Sequence, residues 1–454
     1  MIKIKTLIVG NGGRESSIAS KLAEDTNLYA VMNIENPTIK HSVLKSGGKY
    51  LIGDINNRQL IAEFAKANNI DLAFVSSDNP LEAGVIDCLL EAGINAVGPT
   101  RRGAEIEWNK IYSMELVSRV LPQYTPRYWI LKSLDDIDDV FKEIGQSKLD
   151  VVVKPQGLTG GKGVKVMGPH LKDLGEAKEY ARQILERKIG KSTSVLMVEK
   201  LDGIEYTIMA ITDGKSIIFP PASYDHPYRY AGDTGPGTGG MGAFTDKVLP
   251  LPFMSEKHYQ ESAYIIQKTI EALREDKRHF NGVLNGGFFL TKEGIKFMEF
   301  NARFGDPECM NIMSILDTPL SSLLEDIYHQ RLDPSKVKFK EKASVVKYLV
   351  APEYALNSDG KPHIFAMNVD AITKQGASVY FASAVEKDGK DMFVTTGASR
   401  NVALAAVAES ISEASALVDK CIDNYVKGPL EFRRDIGSQS QIELLTRYGR
   451  LLGM

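Results

Sequence analysis

Over the first hundred residues, short apolar runs of strand length alternate with stretches whose apolar residues recur every three to four positions. The runs at 3–10, 28–32, 73–75 and 96–97 predict buried strands, and 57–67 and 80–91 predict helices with one apolar face. Strand and helix in alternation predict a parallel sheet covered by helices. A basic turn, Thr100-Arg-Arg-Gly103, leads into a predicted helix at 104–117, and Pro122 and Pro126 mark a boundary.

Past that boundary the pattern predicts a smaller unit: a strand at 128–131, a helix at 135–144, a strand at 150–153, a glycine-rich loop, a strand ending at Met167 and a helix at 171–185. A strand at 194–199 is expected to resume the larger body. Strands at 205–211 and 215–219, a long helix at 256–274 and strands at 283–290 and 295–300 follow. Beyond about 335 the chain turns strand-rich, with hairpin-like runs at 343–350 and 392–396, and then a predicted helix over 401–426. The pattern predicts an α/β and α+β multidomain protein divided into 1–103, a core of 104–125 with 189–332, an inserted unit at 126–188, and 333–454. No internal repeat or low-complexity tract interrupts it.

Composition narrows the functions. The 454 residues suffice for roughly three domains. A net charge of −3 provides no general basic field, so nucleic acid is not an expected partner. The apolar part of the first ten residues is too short for a signal or membrane segment, and no other run is long enough to span a bilayer. Cys88, Cys309 and Cys421 lie far apart without metal-ligand spacing, which fits a reducing compartment and a cytoplasmic location.

The chemistry concentrates in Glu299-Phe-Asn-Ala-Arg-Phe-Gly-Asp-Pro-Glu308. A strand alternates its faces, so Glu299 and Asn301 point the same way. Two oxygen donors on one face suit a hard cation such as Mg²⁺, which keeps its other positions for water and phosphate. Arg303 adds a planar fork that fits a carboxylate or phosphate. Asp306-Pro307-Glu308 reads as a helix start with Asp306 as its cap. A strand–turn–helix with a charged rim is the plainer reading of the same residues.

Three glycine-rich loops suit anions. Gln156-Gly-Leu-Thr-Gly-Gly-Lys-Gly163 lies between two apolar strands, so its backbone amides and Lys162 can approach phosphate, with Lys154 ending the strand before it. It is not a P-loop, because glycine rather than Ser or Thr follows Lys162 and a strand follows the loop. Gly10-Asn-Gly-Gly-Arg-Glu15 begins like a dinucleotide fingerprint, but Glu15 stands where the third glycine belongs, which argues against NAD. A helix start with Arg14 still suits a small phosphate ester. Asp225-His-Pro-Tyr-Arg229 followed by the glycine-rich 232–242 is the third surface, disordered unless shaped around a ligand.

In this order the segments resemble the ATP-grasp ligases, and among them the phosphoribosylamine–glycine ligase family of purine biosynthesis. The resemblance runs from Gly10 to about Gly437 and is most specific at 10–15, 153–164, 235–242 and 299–308, with Arg434-Asp-Ile-Gly437 also fitting. It implies an ATP-grasp core (104–125 and 189–332) with a small lid (126–188), an N-terminal parallel-sheet domain holding substrate phosphate, and a strand-rich C-terminal domain. It implies ATP with Mg²⁺ or Mn²⁺, glycine and phosphoribosylamine as small-molecule partners, and a monomer or small homo-oligomer. Residue by residue, Lys110 and Lys154 would contact ATP phosphates, and Gly160, Gly161, Lys162 and Gly163 would close over them. Glu199, Lys200 and Leu201 would form the adenine hinge, Glu205 would bind ribose, and Glu299 and Asn301 would hold the metal. Gly12, Gly13, Arg14, Asp225, Gly239, Gly240 and Arg303 would bind the two substrates, with Arg303, Lys154 and Asp225 as the catalytic set.

The chain departs from the family pattern at Ser16 (usually His), at Ser77 and Asp78 (usually Pro and Glu), at Tyr224 (usually Gln) and at Gly237 (usually Asn). Most of these positions fall on what the resemblance implies is the amine-substrate side, not the ATP side. They leave open a ligase for a different carboxylate–amine pair, or a non-catalytic nucleotide-binding relative.

Overall fold

A computed structural model describes residues 3–159, 163–356 and 360–454. The N-terminal apolar runs form an all-parallel five-stranded sheet in the order Tyr50–Ile52, Asn27–Met32, Lys5–Val9, Leu72–Phe74, Ala96–Val97. Strand order reverses on the two sides of Lys5–Val9, so the loop after Val9 opens at a switch point, where α/β sheets bind ligands. The helix Pro37–Ser46 and the strand Tyr50–Ile52 are additions to the sequence reading. The region expected as one helix at 80–91 is two, Asp78–Ala83 and Val85–Glu91, joined at Gly84 with φ 81°.

The smaller unit is an antiparallel sheet in the order Tyr128–Leu131, Val195–Glu199, Val151–Pro155, Lys165–Val166. Helices Ile137–Ser147 and Leu174–Arg187 pack on it through Phe141, Ile144, Tyr180 and Ile184. Val195–Glu199, expected in the larger body, is instead a central strand of this sheet, hydrogen-bonded on both edges. Its five apolar-to-acidic residues suit either sheet, and pairing partners decide.

The largest sheet crosses the expected boundary near 333. Its main path runs Gly294–Asn301, Gly282–Thr291, Gly203–Thr212, Ser223–Asp225, Gly242–Thr245, Ala343–Leu349, Val402–Ala408, Ala377–Phe381. The predicted helix at 401–426 is a strand, Val402–Ala408, followed by the helix Ile411–Tyr425. Val402-Ala-Leu-Ala-Ala-Val-Ala408 is apolar at every position, which suits a strand covered on both faces, and Ser410 caps the helix that follows. One continuous core joins the N-terminal sheet (Leu7, Val9, Val75) to the large one (Tyr206, Phe288, Val346). Among the described residues, no helix is long and apolar enough to cross a membrane.

Candidate active site

A cavity of about 1090 Å³ lies where the parallel sheet, the small sheet, the large sheet and the C-terminal helix meet. Its floor is the ladder between Gly294–Asn301 and Gly282–Thr291, in which Glu299 pairs with Gly287 and Asn301 with Asn285. Cross-strand partners share a face, so Glu299, Asn301 and Asn285 are presented together. Asn285 is 2 % exposed, lines the cavity, and its Oδ1 has no hydrogen-bond partner. A buried carbonyl oxygen left unpaired costs ~1–3 kcal/mol. A divalent cation, or water held by one, would satisfy it, so these three oxygens fit Mg²⁺ or Mn²⁺. Among the described residues no group of three or more His, Cys, Asp or Glu forms a metal cage, so water and phosphate would complete the coordination.

Two lysines face that ladder. Lys154 is the last residue but one of the strand Val151–Pro155 and donates from Nζ to the Met298 carbonyl at 3.4 Å. Lys110 opens the helix Lys110–Val120 and donates from Nζ to the Gly157 carbonyl at 2.9 Å. Asn109 caps that helix and accepts from Gln156 Nε2 at 3.2 Å, tying the helix start to the glycine-rich loop. Burial holds the Lys110 ammonium below its ordinary pKa, with Lys154 adding to the shift and Glu299 opposing it. A second positive charge this near gains most from an anion between the two.

The predicted hinge is where two sheets join. Glu199 turns its carboxylate back to accept from the Arg127 amide at 2.9 Å, and the Lys200 amide donates to the Asp150 carbonyl at 2.8 Å. Lys200, Leu201 and Glu205 line the cavity beside it. Burial and the neighbouring Glu299 push the Glu205 carboxyl up to about 7, against Lys154. Leu444, Leu445 and Tyr448 of the C-terminal helix Gln439–Leu451 close this end, and the Tyr448 hydroxyl donates to Asp202 at 3.2 Å.

Arg303 follows the strand Gly294–Asn301 and is held in three directions. Its Nε donates to Glu107 at 3.1 Å, Nη1 to the Phe304 carbonyl at 3.1 Å and Nη2 to Asn301 Oδ1 at 3.3 Å. Glu107 also accepts from the Ala302 amide at 2.8 Å. Burial raises the Glu107 carboxyl, and Arg303 restrains the rise. At the switch point, Arg14 donates to Glu15 (2.6 Å), the Phe304 carbonyl (3.2 Å) and Ser77 (3.1 Å). Burial opposes its charge, but Glu15, Asp78 and Asp306 more than compensate. Asp78 is lowered by Arg303 and Arg14 despite its burial. Glu15, the residue that broke the dinucleotide fingerprint, takes the Gly12 amide at 2.8 Å and caps its own helix.

The third loop packs against the other wall. Asp225 is raised well above the ordinary carboxylate range by burial and by Glu308 and Glu205. Gly240 sits against it at φ 99°, and a Cβ there would lie 2.6 Å from both Asp225 Oδ1 and Pro307 Cδ. Arg400 donates from Nη1 to the carbonyls of Gly239, Gly240 (3.2 Å) and Asp306 (2.9 Å), and Nη2 pairs with the Asp306 carboxylate at 3.0 Å. The Tyr348 hydroxyl takes the other Asp306 oxygen at 2.7 Å. The reading of Asp306 as a helix cap is therefore corrected: the helix runs Glu308–Ile315, and the Asp306 side chain is drawn to Arg400 and Tyr348.

The cavity thus gathers Lys110 and Lys154, the 199–205 hinge, Glu299, Asn301, Arg303, Gly12, Arg14, Asp225 and Gly239. Gly13, Gly163 and Gly240 are not on its lining: a Cβ on Gly13 would meet the Tyr348 hydroxyl, and Gly163 accepts from Tyr180 at 2.8 Å. Gly160, Gly161 and Lys162 lie outside the described residues. Ser16 points away, donating to the Phe381 carbonyl at 2.5 Å, and Tyr224 lines the cavity from an aromatic cluster with His226 and Phe244. Glu107, Asn285, Glu308, Tyr348 and Arg400 were not read from the sequence as site residues. Glu308 lay inside a motif, but nothing local distinguishes the other four.

The descriptions of two family models match the chain: the phosphoribosylglycinamide synthetase N domain over residues 4–107 and its ATP-grasp (A) domain over 109–309. The phosphoribosylamine–glycine ligase of Methanosphaera stadtmanae is 39% identical over 96% of this chain and 97% of its own length. That of Pyrococcus horikoshii is 38% identical over 99% and 98%. The fold is similar to the crystal structure of phosphoribosylamine–glycine ligase from Thermotoga maritima, with a TM-score of 0.77 at 22% identity over 95% of this chain and all of that one. It is also similar to biotin carboxylase from Campylobacter jejuni, with a TM-score of 0.71 at 15% identity over 98% of each chain.

Proposed function

The chain belongs to the phosphoribosylglycinamide synthetase family, and from that membership we propose that it joins glycine to 5-phosphoribosylamine with ATP, giving glycinamide ribonucleotide, ADP and phosphate. The observation that carries the reading is the convergence on one cavity of two lysines, a three-oxygen strand face and buried arginines. Glycine's carboxylate attacks the γ-phosphate, forming glycyl phosphate and ADP. The amine of phosphoribosylamine then attacks that acyl phosphate, forms the amide and expels phosphate. A free carboxylate is a poor acylating agent, and phosphorylation supplies the leaving group.

The side chains orient and neutralise. Lys110 and Lys154 bind the phosphates of ATP, the 199–201 backbone holds adenine, and Glu205 accepts from the ribose hydroxyls. Glu299 and Asn301, with Asn285 beside them, would hold Mg²⁺ or Mn²⁺, which would neutralise phosphate charge. Arg303 holds the anion at the transfer point, and Arg14 with the Gly12 loop faces the ribose phosphate. Asp225 and its neighbours Gly239 and Gly240 form the amine side. Alignment of this kind supplies ~7–11 kcal/mol of barrier reduction. The lid comprises 126–199 rather than 126–188, because Val195–Glu199 belongs to its sheet. Closed, it would exclude water from the acyl phosphate. The 1–103 division stands as a proposed unit, whereas 333–454 is not set apart from the core, because Ala343–Leu349, Val402–Ala408 and Ala377–Phe381 continue the large sheet; the cytoplasm is the proposed location.

A coupled ADP-release assay with a panel of amino acids, with and without phosphoribosylamine, tests the reaction. Release that requires both glycine and phosphoribosylamine is expected. Release that needs neither, or that another amino acid supports better, sinks the assignment.

A further inference from the structure

The loop 225–242 forms the proposed amine wall of the cavity, and its tip bends through two left-handed residues. These are Gly232 and Asp233 (φ 70° and 54°); below them the loop is tied by a short ladder, Tyr228–Tyr230 with Thr234–Gly237, and by the Thr238 and Met241 amides, which donate to the Pro227 and His226 carbonyls at 2.7 and 2.8 Å. A side chain in that region is unfavourable unless its surroundings fix it. The fixing comes from some two hundred residues downstream, in the segment that contains the otherwise unassigned Arg434-Asp-Ile-Gly437 motif.

Arg433 is 2 % exposed and reaches into the loop. Its Nη1 donates to Asp233 Oδ1 at 2.8 Å and to the Tyr228 carbonyl at 2.9 Å. Its Nε and Nη2 donate to the two oxygens of Asp435 at 3.0 and 2.6 Å. Asp435 in turn accepts from the Gly232 amide at 3.1 Å. A second chain of bonds runs from the same segment: the Gly437 amide to Gln441 Oε1 (2.9 Å), Gln441 Nε2 to His226 Nε2 (2.8 Å), and His226 Nδ1 to the Gly242 carbonyl (3.1 Å). A carbonyl only accepts, so Nδ1 carries the proton and Nε2 is free to accept from Gln441. His226 follows Asp225 and donates its backbone N–H to Asp225 Oδ1 at 2.7 Å. By contrast Arg434 is exposed and pairs with Asp423 on the surface.

We propose that Arg433 and Asp435 are positioning residues: they clamp the 225–242 loop from the C-terminal side and thereby set the amine-substrate wall of the cavity, without touching the nucleotide. The proposal rests on the ligase reading for the identity of the substrates. It accounts for a fully buried arginine that spans two acids of separate segments, one of which, Asp233, lines the cavity. Arg433 uses its planar fork to hold four acceptor oxygens on three residues at once, which a lysine does not reproduce.

The test uses the full chain with Arg433→Lys, Arg433→Met and Asp435→Asn, and Arg434→Met as the control. Steady-state kinetics gives KM separately for glycine, phosphoribosylamine and ATP, calorimetry gives the ATP Kd, and hydrogen exchange reads the Gly232 amide. The clamp requires that Arg433→Lys and Asp435→Asn raise KM for glycine or phosphoribosylamine roughly tenfold or more. ATP Kd should stay within about twofold, Gly232 should exchange faster, and Arg434→Met should change none of these. Should Arg433→Met fail to fold, the lysine and Asp435→Asn variants still decide. Equal loss of ATP affinity, or unchanged substrate KM, overturns the clamp. If the wild-type protein releases ADP without either substrate, the ligase reading falls instead, and Gly232 exchange in the variants still tests the clamp.

Discussion

Arg303 is the most exacting test of how the site is built. Read as a lone anion clamp, Arg303→Met would cost activity and leave the fold intact. The structure predicts more. Arg303 Nε is 3.1 Å from Glu107, whose side chain is 5% exposed. Removing one partner of a buried pair leaves an uncompensated charge and costs ~3–5 kcal/mol. The Ala302 amide still donates to Glu107, which puts the expected loss at the lower end, about 3 kcal/mol. The sign with pH follows from the raised Glu107 carboxyl. A carboxyl whose folded pKa exceeds its unfolded value binds its proton more tightly when folded. Its penalty is absent below the unfolded pKa, builds as pH rises from that value to the folded one, and is complete above it. Without Arg303 the folded pKa rises further, so the deficit of Arg303→Met should be large near pH 8 and shrink toward pH 5. Urea midpoints at both pH values measure it, alongside ADP release. The double variant Arg303→Met/Glu107→Gln should regain most of the stability and none of the turnover. A single variant as stable as wild type, or a deficit that grows on acidification, refutes the reasoning.

Three further outcomes are expected. Lys154→Met should lower kcat about 10²–10³-fold at saturating ATP, since one preorganised donor to developing phosphate charge is lost; near-normal turnover would remove Lys154 from the site. Glu205→Gln should stabilise the ligand-free protein by ~1–3 kcal/mol at pH 7.5. That gain should vanish toward pH 4.5, because the wild-type penalty develops between the ordinary carboxyl value of 4.5 and the raised value of about 7; a pH-independent difference in thermal midpoint contradicts it. Asn285→Leu should weaken Mn²⁺ binding by about tenfold in direct titration, with the thermal midpoint unchanged or raised as the orphaned oxygen is removed; unaltered Mn²⁺ affinity would exclude Asn285 from the metal face.

Whatever depends on neighbours in the chain was legible in the sequence. Strand alternation placed Glu299 and Asn301 on one face, and glycine loops between apolar runs marked segments that line the cavity. The parallel sheet followed from alternating patterns, because a strand buried on both faces has few other readings. The failures across the fold share one physical cause, whereas the helix Pro37–Ser46, capped by Asn36, and the break at Gly84 carry local signals. Val402–Ala408 and Val195–Glu199 have compositions that fit more than one partner, and only pairing across the fold chose the strand and the sheet. Asp306 had the local form of a helix cap, but Arg400 and Tyr348, distant in sequence, offered its charge better partners. Asn285, Glu107 and Arg400 carry no local signal at all, since a side chain's orphaned oxygen or buried charge exists only once the chain has closed around it. The sequence alone determined which chemical groups the protein brings to its site and the strand that aligns two of them. Tertiary structure decided which groups face one another, because hydrogen bonding and burial act over a few ångströms regardless of separation along the chain.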